Sequence, residues 1–219
     1  MLPRLILHNA VSLDGRFDGF SPDLGQFYQL ASHWEEDATL VGSNTITAAE
    51  KDLLEEEPTT QEIDPNNTSP LMVIADSRGR VRRWDQWRRQ PYWRDAIALC
   101  STATPTDYLD FLKESRVDYI IAGDDHVDFR KALEELNARY GVKTVRADCG
   151  GTLNGVLLRT GLVDEVSLHI YPVLVGGTTQ KSIFIAPDLT SPEGAIPLKL
   201  THCEHLNNDT VWLLYEVNK

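Results

Sequence analysis

The chain has 219 residues, of which 42% are hydrophobic, and this is enough to bury a full core without a disulfide or metal staple. Its formal net charge of −12 argues against nucleic acid and against an anionic membrane as partners, since both attract a basic surface. The three cysteines lack a metal-type spacing, and the apolar N-terminal run is too short for a membrane span and has no signal-peptide cleavage context. We therefore predict a cytoplasmic protein without a bound metal.

The N-terminal part of the chain predicts two strands and two helices. Arg4 to Val11 is rich in Leu, Ile and Val, which is typical of a buried strand. Ser21-Pro22-Asp23 supplies a cap and an early proline for a following helix. We expect this helix to pack its apolar face against a sheet. The residues of that face, at helical spacing, are Leu24, Phe27, Tyr28, Ala31 and Trp34. Ala38 to Val41 predicts a second strand, and Gly42 to Lys51 a second helix-like segment.

The middle of the chain is less regular. Glu55 to Pro70 is acidic and carries three prolines, which predicts a surface loop of limited order. Leu71 to Ala75 predicts a short strand that ends at Asp76-Ser77-Arg78-Gly79-Arg80. Val81 to Arg94 mixes tryptophan with arginine, and such a segment either stacks a ligand ring or, more commonly, packs its arginine stems along the surface. The sequence leaves the role of residues 82–94 open.

From Ala96 onward the pattern predicts alternating strands and helices and then strands alone. The alternating elements are strand Ala96–Cys100, helix Asp107–Ser115, strand Val117–Ala122, helix Val127–Tyr140 and strand Lys143–Ala147. The later strands are Val163–Val175, Leu198–Leu206 and Val211–Val217, with hairpin-type turns at Gly176-Gly177 and Asn207-Asn208-Asp209. We predict a single α/β domain over residues 1–219, with a mostly parallel central sheet flanked by helices and antiparallel C-terminal strands.

The most informative stretch follows the strand Lys143–Ala147 and reads Asp148-Cys149-Gly150-Gly151-Thr152-Leu153-Asn154-Gly155. A strand that stops at an acid and turns through two glycines into a helix brings unpaired backbone N–H groups close to a phosphate. Most such turns only connect a strand to a helix, and this spacing matches neither the Rossmann nor the P-loop pattern. The functional hypothesis therefore depends on several segments together.

Two histidines lie within apolar strands. We interpret His8 and His169 as hydrogen-bonded core side chains rather than as acid catalysts, because their neighbours in the sequence are predominantly apolar.

Five segments, in this order, resemble the reductase domain of riboflavin biosynthesis (RibD C-terminal domain), a family with the dihydrofolate reductase fold. They are Ser12–Arg16, Val41–Thr45, Val73–Ser77, Gly150–Asn154, and Gly161–Val166 running on to Pro172–Gly177. The resemblance implies an NADPH-dependent oxidoreductase that reduces the ribosylamino group of a (di)aminopyrimidinone 5′-phosphate to a ribitylamino group by hydride transfer. Two alternatives stay open: an NADPH reductase of a pterin, folate-like or other carbonyl or imine compound, and a non-catalytic nucleotide-binding relative.

The same resemblance implies which residues contact the cofactor. They are Ala10, Gly42, Thr45, Ser77, Gly150, Gly151, Thr152, Leu153 and Asn154. Arg78 and Arg80 are additional candidates for the cofactor 2′-phosphate, because a guanidinium offers a bidentate fork to a phosphate. The alternative for both is a solvent-exposed turn arginine.

Substrate contacts are expected at the acid before the glycines and at the first loop. The resemblance assigns Asp148 to the pyrimidinone and to the reaction, although an acid there also suits a helix cap, and relatives usually carry Glu at this position. Ser12 and Arg16 are expected near the substrate, with Arg16 or Lys181 as candidates for its phosphate. Asp14 is either catalytic or a turn residue that accepts amide hydrogen bonds. The resemblance also implies a homodimer.

Overall fold

The computed structural model describes residues 1–50, 67–179 and 181–219. The surface loop predicted between Glu55 and Pro70 therefore lies outside the described residues, except for its last positions from 67 onward. Within these ranges the chain forms two compact units. The first consists of Met1–Pro3 and Glu36–Val145, and the second of Arg4–Glu35 and Arg146–Lys219. A single domain over residues 1–219 stays a prediction.

The elements follow the predicted order along the chain. The described strands are β1 (Arg4–Ser12), β2 (Ala38–Gly42), β3 (Leu71–Ala75), β4 (Asp95–Cys100), β5 (Asp118–Ile121), β6 (Thr144–Ala147), β7 (Glu165–Tyr171), β8 (Leu198–His205) and β9 (Val211–Val217). The described α-helices are α1 (Leu24–Ala31), α2 (Ser43–Ala49), α3 (Trp84–Arg88), α4 (Thr106–Glu114), α5 (Phe129–Tyr140) and α6 (Gly151–Arg159). Over the described ranges, no helix combines the length and the apolar character needed to cross a bilayer.

Four strands of the first unit lie side by side in the order β5-β4-β3-β2, and each neighbouring pair is parallel. The residues of β2, β3 and β4 are nearly all buried, as expected for parallel strands covered on both faces. The core beside them contains Trp84 and Tyr108, and the indole N–H of Trp84 donates to the Tyr108 hydroxyl at 3.2 Å. The parallel α/β arrangement predicted from the alternating elements is confirmed.

The tryptophan and arginine segment packs into this unit rather than standing free. The Arg82 guanidinium lies 4.7 Å from the centre of the Tyr108 ring, and the Arg88 Nε lies 2.6 Å from the Asp95 carboxylate. Residues 84–88 form the short helix α3. These contacts favour the packing interpretation of residues 82–94 over a ligand-stacking role.

The strands of the second unit combine both pairing directions. β1 pairs with β7 in parallel, while β7 pairs with β9 and β9 with β8 in antiparallel register. The turn between β8 and β9 places Asn208 and Asp209 at φ values of 59° and 58°, a left-handed conformation that these two residue types tolerate better than most. The antiparallel C-terminal strands and the hairpin turn at residues 207–209 are therefore confirmed.

The hairpin predicted at Gly176-Gly177 is wrong. β7 ends at Tyr171 rather than at Val175, and both of its edges are already occupied, by β1 and by β9. Pro172 follows directly, and its ring fixes φ and removes an N–H donor, so the strand stops there. The described residues between Tyr171 and Leu198 are largely irregular chain, with one β-bridge from Ser182 to Arg16.

Helix α1 begins where the sequence predicts, but only part of its predicted apolar face is buried. The Asp23 carboxylate accepts a hydrogen bond from the Gln26 N–H at 3.1 Å and so caps the helix. Phe27 is buried, as are Ala31 and Trp34, but Leu24 and Tyr28 are 59% and 52% exposed. Only one side of this eight-residue helix rests on the strands, so the half-exposed Tyr28 ring is accessible from solvent.

Candidate active site

Asp148 stands at the end of β6, directly before the glycine turn, and its side chain is 32% exposed. Its carboxylate Oδ2 lies 3.7 Å from the Nη1 of Arg146, and it accepts no hydrogen bond from any residue that the structure describes. Burial raises the pKa of the Asp148 carboxyl, while the Arg146 cation acts in the opposite direction. The site thus offers a half-buried carboxylate whose lone pairs are available to a ligand.

The helix-cap interpretation of Asp148 is wrong. Helix α6 is capped by Gly150, and no described side chain makes a capping hydrogen bond there. Cys149 and Gly150 separate Asp148 from the first residue of α6. Asp148 therefore does not occupy the N-cap position, from which a side chain reaches the first N–H groups of a helix. Those first backbone N–H groups of α6 have no acceptor within the helix itself, and they make the helix start suitable for an anion.

The space around the Cα atom differs among the glycines of this turn. A Cβ atom on Gly150 would meet no described atom within 4 Å, so this exposed position leaves space for a ligand. A Cβ on Gly151 would lie 1.9 Å from the Ser182 carbonyl oxygen, and one on Gly155 would lie 1.9 Å from that of Ile185. The segment 181–188 therefore packs directly against α6. This packing requires glycine at positions 151 and 155, independently of any contact with a cofactor.

A buried amide pair that the sequence analysis missed holds the turn in place. Asn9 on β1 is 3% exposed and donates from Nδ2 to the Cys149 carbonyl oxygen at 3.1 Å. Asn154 donates from its own Nδ2 to Asn9 Oδ1 and to the Ile183 carbonyl oxygen, each at 2.9 Å. Both amide hydrogens of Asn154 are therefore used inside the protein, which favours a structural role for its side chain. A polar Asn9 within the apolar run of β1 was the available signal.

The first loop is tied to the chain that follows β7. The Asp14 carboxylate accepts hydrogen bonds from the Ser12 hydroxyl at 2.6 Å and from the N–H groups of Val175 and Gly176 at 3.1 and 2.6 Å. The Ser12 hydroxyl and these amides lower the pKa of Asp14 to about 2. These contacts support the turn role of Asp14, since its oxygens already hold two loops together.

Arg16 and Lys181 are also engaged by protein groups. Arg16 donates to the Thr179 carbonyl and hydroxyl oxygens at 2.6 and 2.9 Å and to Asp18 at 3.2 Å. The Lys181 ammonium lies 2.7 Å from the other Asp18 oxygen. A substrate phosphate would have to compete with these partners, so the roles of Ser12, Arg16 and Lys181 in substrate binding stay predictions.

The predicted cofactor residues of the first unit lie at the ends of β2 and β3. Gly42 precedes α2 and Thr45 lies exposed in its first turn, while the Ser77 carbonyl oxygen accepts a hydrogen bond from the Thr104 hydroxyl at 2.9 Å. Ala10, the remaining predicted contact, belongs to the second unit and lies half-buried on β1. The structure leaves the cofactor role of these positions a prediction.

The two arginines proposed for the 2′-phosphate differ in their surroundings. Arg80 donates to the Asn44 side-chain oxygen at 2.7 Å and to the Ser43 hydroxyl at 2.6 Å. Arg78 is exposed, and its side chain makes no hydrogen bond or ion pair in the part of the chain that is described. Of the two arginines, Arg78 is therefore the one whose donors the described residues leave available to a ligand.

The prediction that both strand histidines are hydrogen-bonded core side chains is correct for only one of them. His8 is fully buried, and its ring nitrogens hydrogen-bond the Ser167 hydroxyl at 2.8 Å and the Phe27 carbonyl oxygen at 3.1 Å. Its role as a hydrogen-bonded core residue is confirmed, and burial lowers its pKa to about 3.

His169 is buried as well, but neither ring nitrogen has a hydrogen-bond partner within the described ranges, so the prediction of a satisfied histidine is wrong. Its register neighbours are Ala10, which has no polar side chain, and Trp212, whose indole N–H donates to Ser167 instead. Burial lowers the pKa of His169, which favours the neutral form of the ring.

The fold places the chain in the class of dihydrofolate reductase-like α/β proteins. It is similar to a dihydrofolate reductase from Enterococcus faecalis complexed with NADP(H), with a TM-score of 0.50, 10% identity and coverage of 99% of this chain and 97% of that one. RibD from Acinetobacter baumannii gives a TM-score of 0.71 at 21% identity over 99% of this chain. This chain spans 58% of that longer RibD chain.

The chain belongs to the RibD C-terminal domain family, whose sequence profile matches residues 3–212. A relative from Methanothermobacter thermautotrophicus is 29% identical over 227 residues, covering 96% of this chain and 97% of the relative. That protein is named 2,5-diamino-6-ribosylamino-4(3H)-pyrimidinone 5′-phosphate reductase. The resemblance drawn from the five sequence segments is confirmed, as is the predicted fold class.

Proposed function

We propose that the protein is an NADPH-dependent reductase of riboflavin biosynthesis that converts the ribosylamino group of a (di)aminopyrimidinone 5′-phosphate to a ribitylamino group. The observation that carries this proposal is the half-buried Asp148 carboxylate, which lies at the head of the glycine turn and accepts no hydrogen bond from the described chain. The named activity of the Methanothermobacter relative, which covers nearly the whole chain, supports the same substrate class.

The Asp148 carboxylate suits the polar edge of a pyrimidinone. An ionised carboxylate only accepts hydrogen bonds, and the ring N–H and amino group of the substrate only donate them. A carboxylate that is partly removed from water binds such donors more strongly than an exposed one, because the local dielectric constant is lower. Asp148 would therefore hold the base and leave the sugar C1 atom free to react.

Each unit, taken by itself, has groups that suit part of a dinucleotide cofactor. Gly150 leaves open space in front of the uncapped start of α6, where backbone N–H groups suit a pyrophosphate. In the first unit, Arg78 has an exposed guanidinium that suits the 2′-phosphate of NADPH. The bound nicotinamide would supply the hydride that joins the sugar C1 atom as the C1–O bond of the ribose ring breaks, while the released oxygen takes up a proton.

Association of two copies is part of this proposal. Strand β8 is exposed along nearly all of its length and pairs with β9 on one edge. None of the described strands pairs with its other edge, so that edge is available to a strand of a second copy. A homodimer through the C-terminal strands and a cytoplasmic location are thus proposed together with the activity.

The direct test is an absorbance assay at the reduced-nicotinamide band with the ribosylamino-pyrimidinone phosphate as substrate. We expect NADPH to be consumed in equal amount to the ribitylamino product, and NADH to be used less efficiently. Consumption with a pterin or folate-like compound but not with the pyrimidinone would favour a related reductase. If no carbonyl or imine substrate caused consumption, the protein would be a non-catalytic relative.

Arg78 provides a test of the cofactor choice. We expect Arg78→Gln to weaken NADPH binding about tenfold and to leave NADH binding unchanged, because only NADPH carries the 2′-phosphate that the guanidinium would bind. Fluorescence titration with each cofactor measures both affinities. Arg130→Gln, which removes the same charge from an exposed position on α5, is the matched control. Equal loss of affinity for both cofactors, or no loss for either, would remove Arg78 from the 2′-phosphate site.

A further inference from the structure

We propose that Arg146 is a positioning residue of the pyrimidinone site, a buried cation that keeps the Asp148 carboxylate ionised and aimed at the substrate. This inference rests on the proposed function, because it concerns the contact between Asp148 and the base. It assigns a role to a residue that the sequence analysis did not single out.

The strand geometry places the two side chains on one face. Arg146 lies two residues before Asp148 along β6 and its end, and side chains two apart in an extended chain point to the same side. The Arg146 side chain is only 3% exposed, whereas that of Asp148 is 32% exposed. The cation is thus more deeply buried than the carboxylate that lies 3.7 Å from it.

An arginine side chain carries a permanent positive charge, and the neighbours described for Arg146 within its own unit are aromatic rings and a carboxylate. The Tyr28 ring of α1 lies 6.0 Å from the guanidinium carbon, and a guanidinium over an aromatic face is weakly favourable. Burial, and to a smaller extent the Arg146 charge, lower the pKa of His8 on β1 to about 3. This histidine therefore adds no second cation near neutral pH. At the end of β6, the Asp148 carboxylate forms an ion pair with Arg146 at 3.7 Å.

The pair balances two opposing effects on Asp148. Burial alone favours the neutral acid, and a protonated carboxyl turns one of its acceptor oxygens into a donor. A substrate edge that only donates hydrogen bonds would then meet a hydroxyl. By keeping Asp148 ionised, Arg146 preserves two acceptor oxygens for the base over a wider pH range, and its fixed position restrains a side chain that accepts no described hydrogen bond.

The pH dependence of kcat/KM separates this role from simple structural support. In Arg146→Met the pKa of Asp148 is expected to rise, so the acid limb of the profile moves to higher pH. A shift of about one unit lowers kcat/KM about tenfold on the acid side while the alkaline plateau changes much less. Arg146→Lys retains a cation and is expected to move the limb less. A structural defect would lower the whole profile without moving the limb.

A direct titration gives a readout that does not depend on turnover. Carbon-13 NMR of the aspartate carboxyls in the ligand-free protein reports the pKa of Asp148, whose signal is assigned by its loss in Asp148→Asn. We expect a higher pKa in Arg146→Met than in the parent, with urea unfolding used to confirm that both proteins are folded. In the Asp148→Asn background, the further change Arg146→Met should not move the acid limb.

The outcomes distinguish this inference from the proposed function. Loss of kcat/KM in Asp148→Asn together with a raised carboxyl pKa in Arg146→Met supports both. The same loss with an unchanged carboxyl pKa overturns the role of Arg146 and leaves the proposed function standing. Unchanged kinetics in Asp148→Asn overturn the substrate contact, and the positioning role falls with it.

Discussion

Replacing Asp148 by asparagine is expected to lower kcat/KM for the pyrimidinone phosphate about 10- to 150-fold, which corresponds to about 1.5–3 kcal/mol for hydrogen bonds to a charged group. The substitution keeps the size and shape of the side chain but replaces one acceptor oxygen with an NH₂ donor, which would face the donors of the substrate. The change also removes the anion that lies 3.7 Å from the buried Arg146 guanidinium, so urea unfolding accompanies the kinetics and measures the loss of stability. Steady-state kinetics at saturating NADPH measure the effect.

The matched control for this variant is Asp148→Glu, which keeps the charge and both acceptor oxygens and adds one methylene. We expect it to retain much more activity than Asp148→Asn, while neither variant changes the NADPH dissociation constant by more than about twofold, since hydrogen bonds to the base are separate from those to the dinucleotide. An asparagine variant with parental kinetics would show that the Asp148 carboxylate does not contact the substrate.

Replacing Gly155 by alanine is expected to destabilise the protein by about 1–3 kcal/mol, the usual cost of forcing an extra group into a packed site. Within a helix this change would ordinarily stabilise by about 0.5–1 kcal/mol, because glycine has the larger conformational freedom when unfolded. Here the added Cβ would lie 1.9 Å from the Ile185 carbonyl oxygen, which belongs to backbone and yields only if the segment 181–188 moves. Urea unfolding measures the difference in free energy.

Gly150→Ala is the control, because its Cβ would meet no described atom within 4 Å and its φ of −76° suits alanine. We expect its free energy of unfolding to stay within about 0.5 kcal/mol of the parent. A Gly155→Ala protein that is as stable as the parent would mean that the segment 181–188 does not rest on α6 in solution.

Local signals predicted most of the secondary structure correctly. The run Leu71–Ala75 is apolar throughout and forms a buried strand, and α5 begins after the capping Asp128 and ends before the C-cap Gly141, whose φ is 69°. Caps, breakers and periodicity act within a few residues, so they can be read without knowing the fold. The five family segments depend on the same kind of local pattern, and they identified the family correctly.

The errors concern partners that are distant in the sequence. Gly176-Gly177 has the composition of a hairpin turn, but β7 already has strands on both edges. His8 and His169 have similar sequence surroundings, yet only His8 finds acceptor and donor groups, one of them on Ser167 far along the chain. A hydrogen-bond partner supplied by another strand depends on register, which no single segment contains.

The α/β class, the family and the acid-and-glycine turn follow from the order of the residues alone, because apolar periodicity and short motifs express preferences of neighbouring residues. The roles of the polar side chains follow from the folded arrangement instead. Folding ties Asp14 and Arg16 to the chain after β7, brings Asn9 and Asn154 together, and leaves the Asp148 carboxylate without a hydrogen bond from the described residues beside a buried Arg146. These roles depend on which strands and loops meet in space, since hydrogen bonds and burial act between residues that the chain itself keeps far apart.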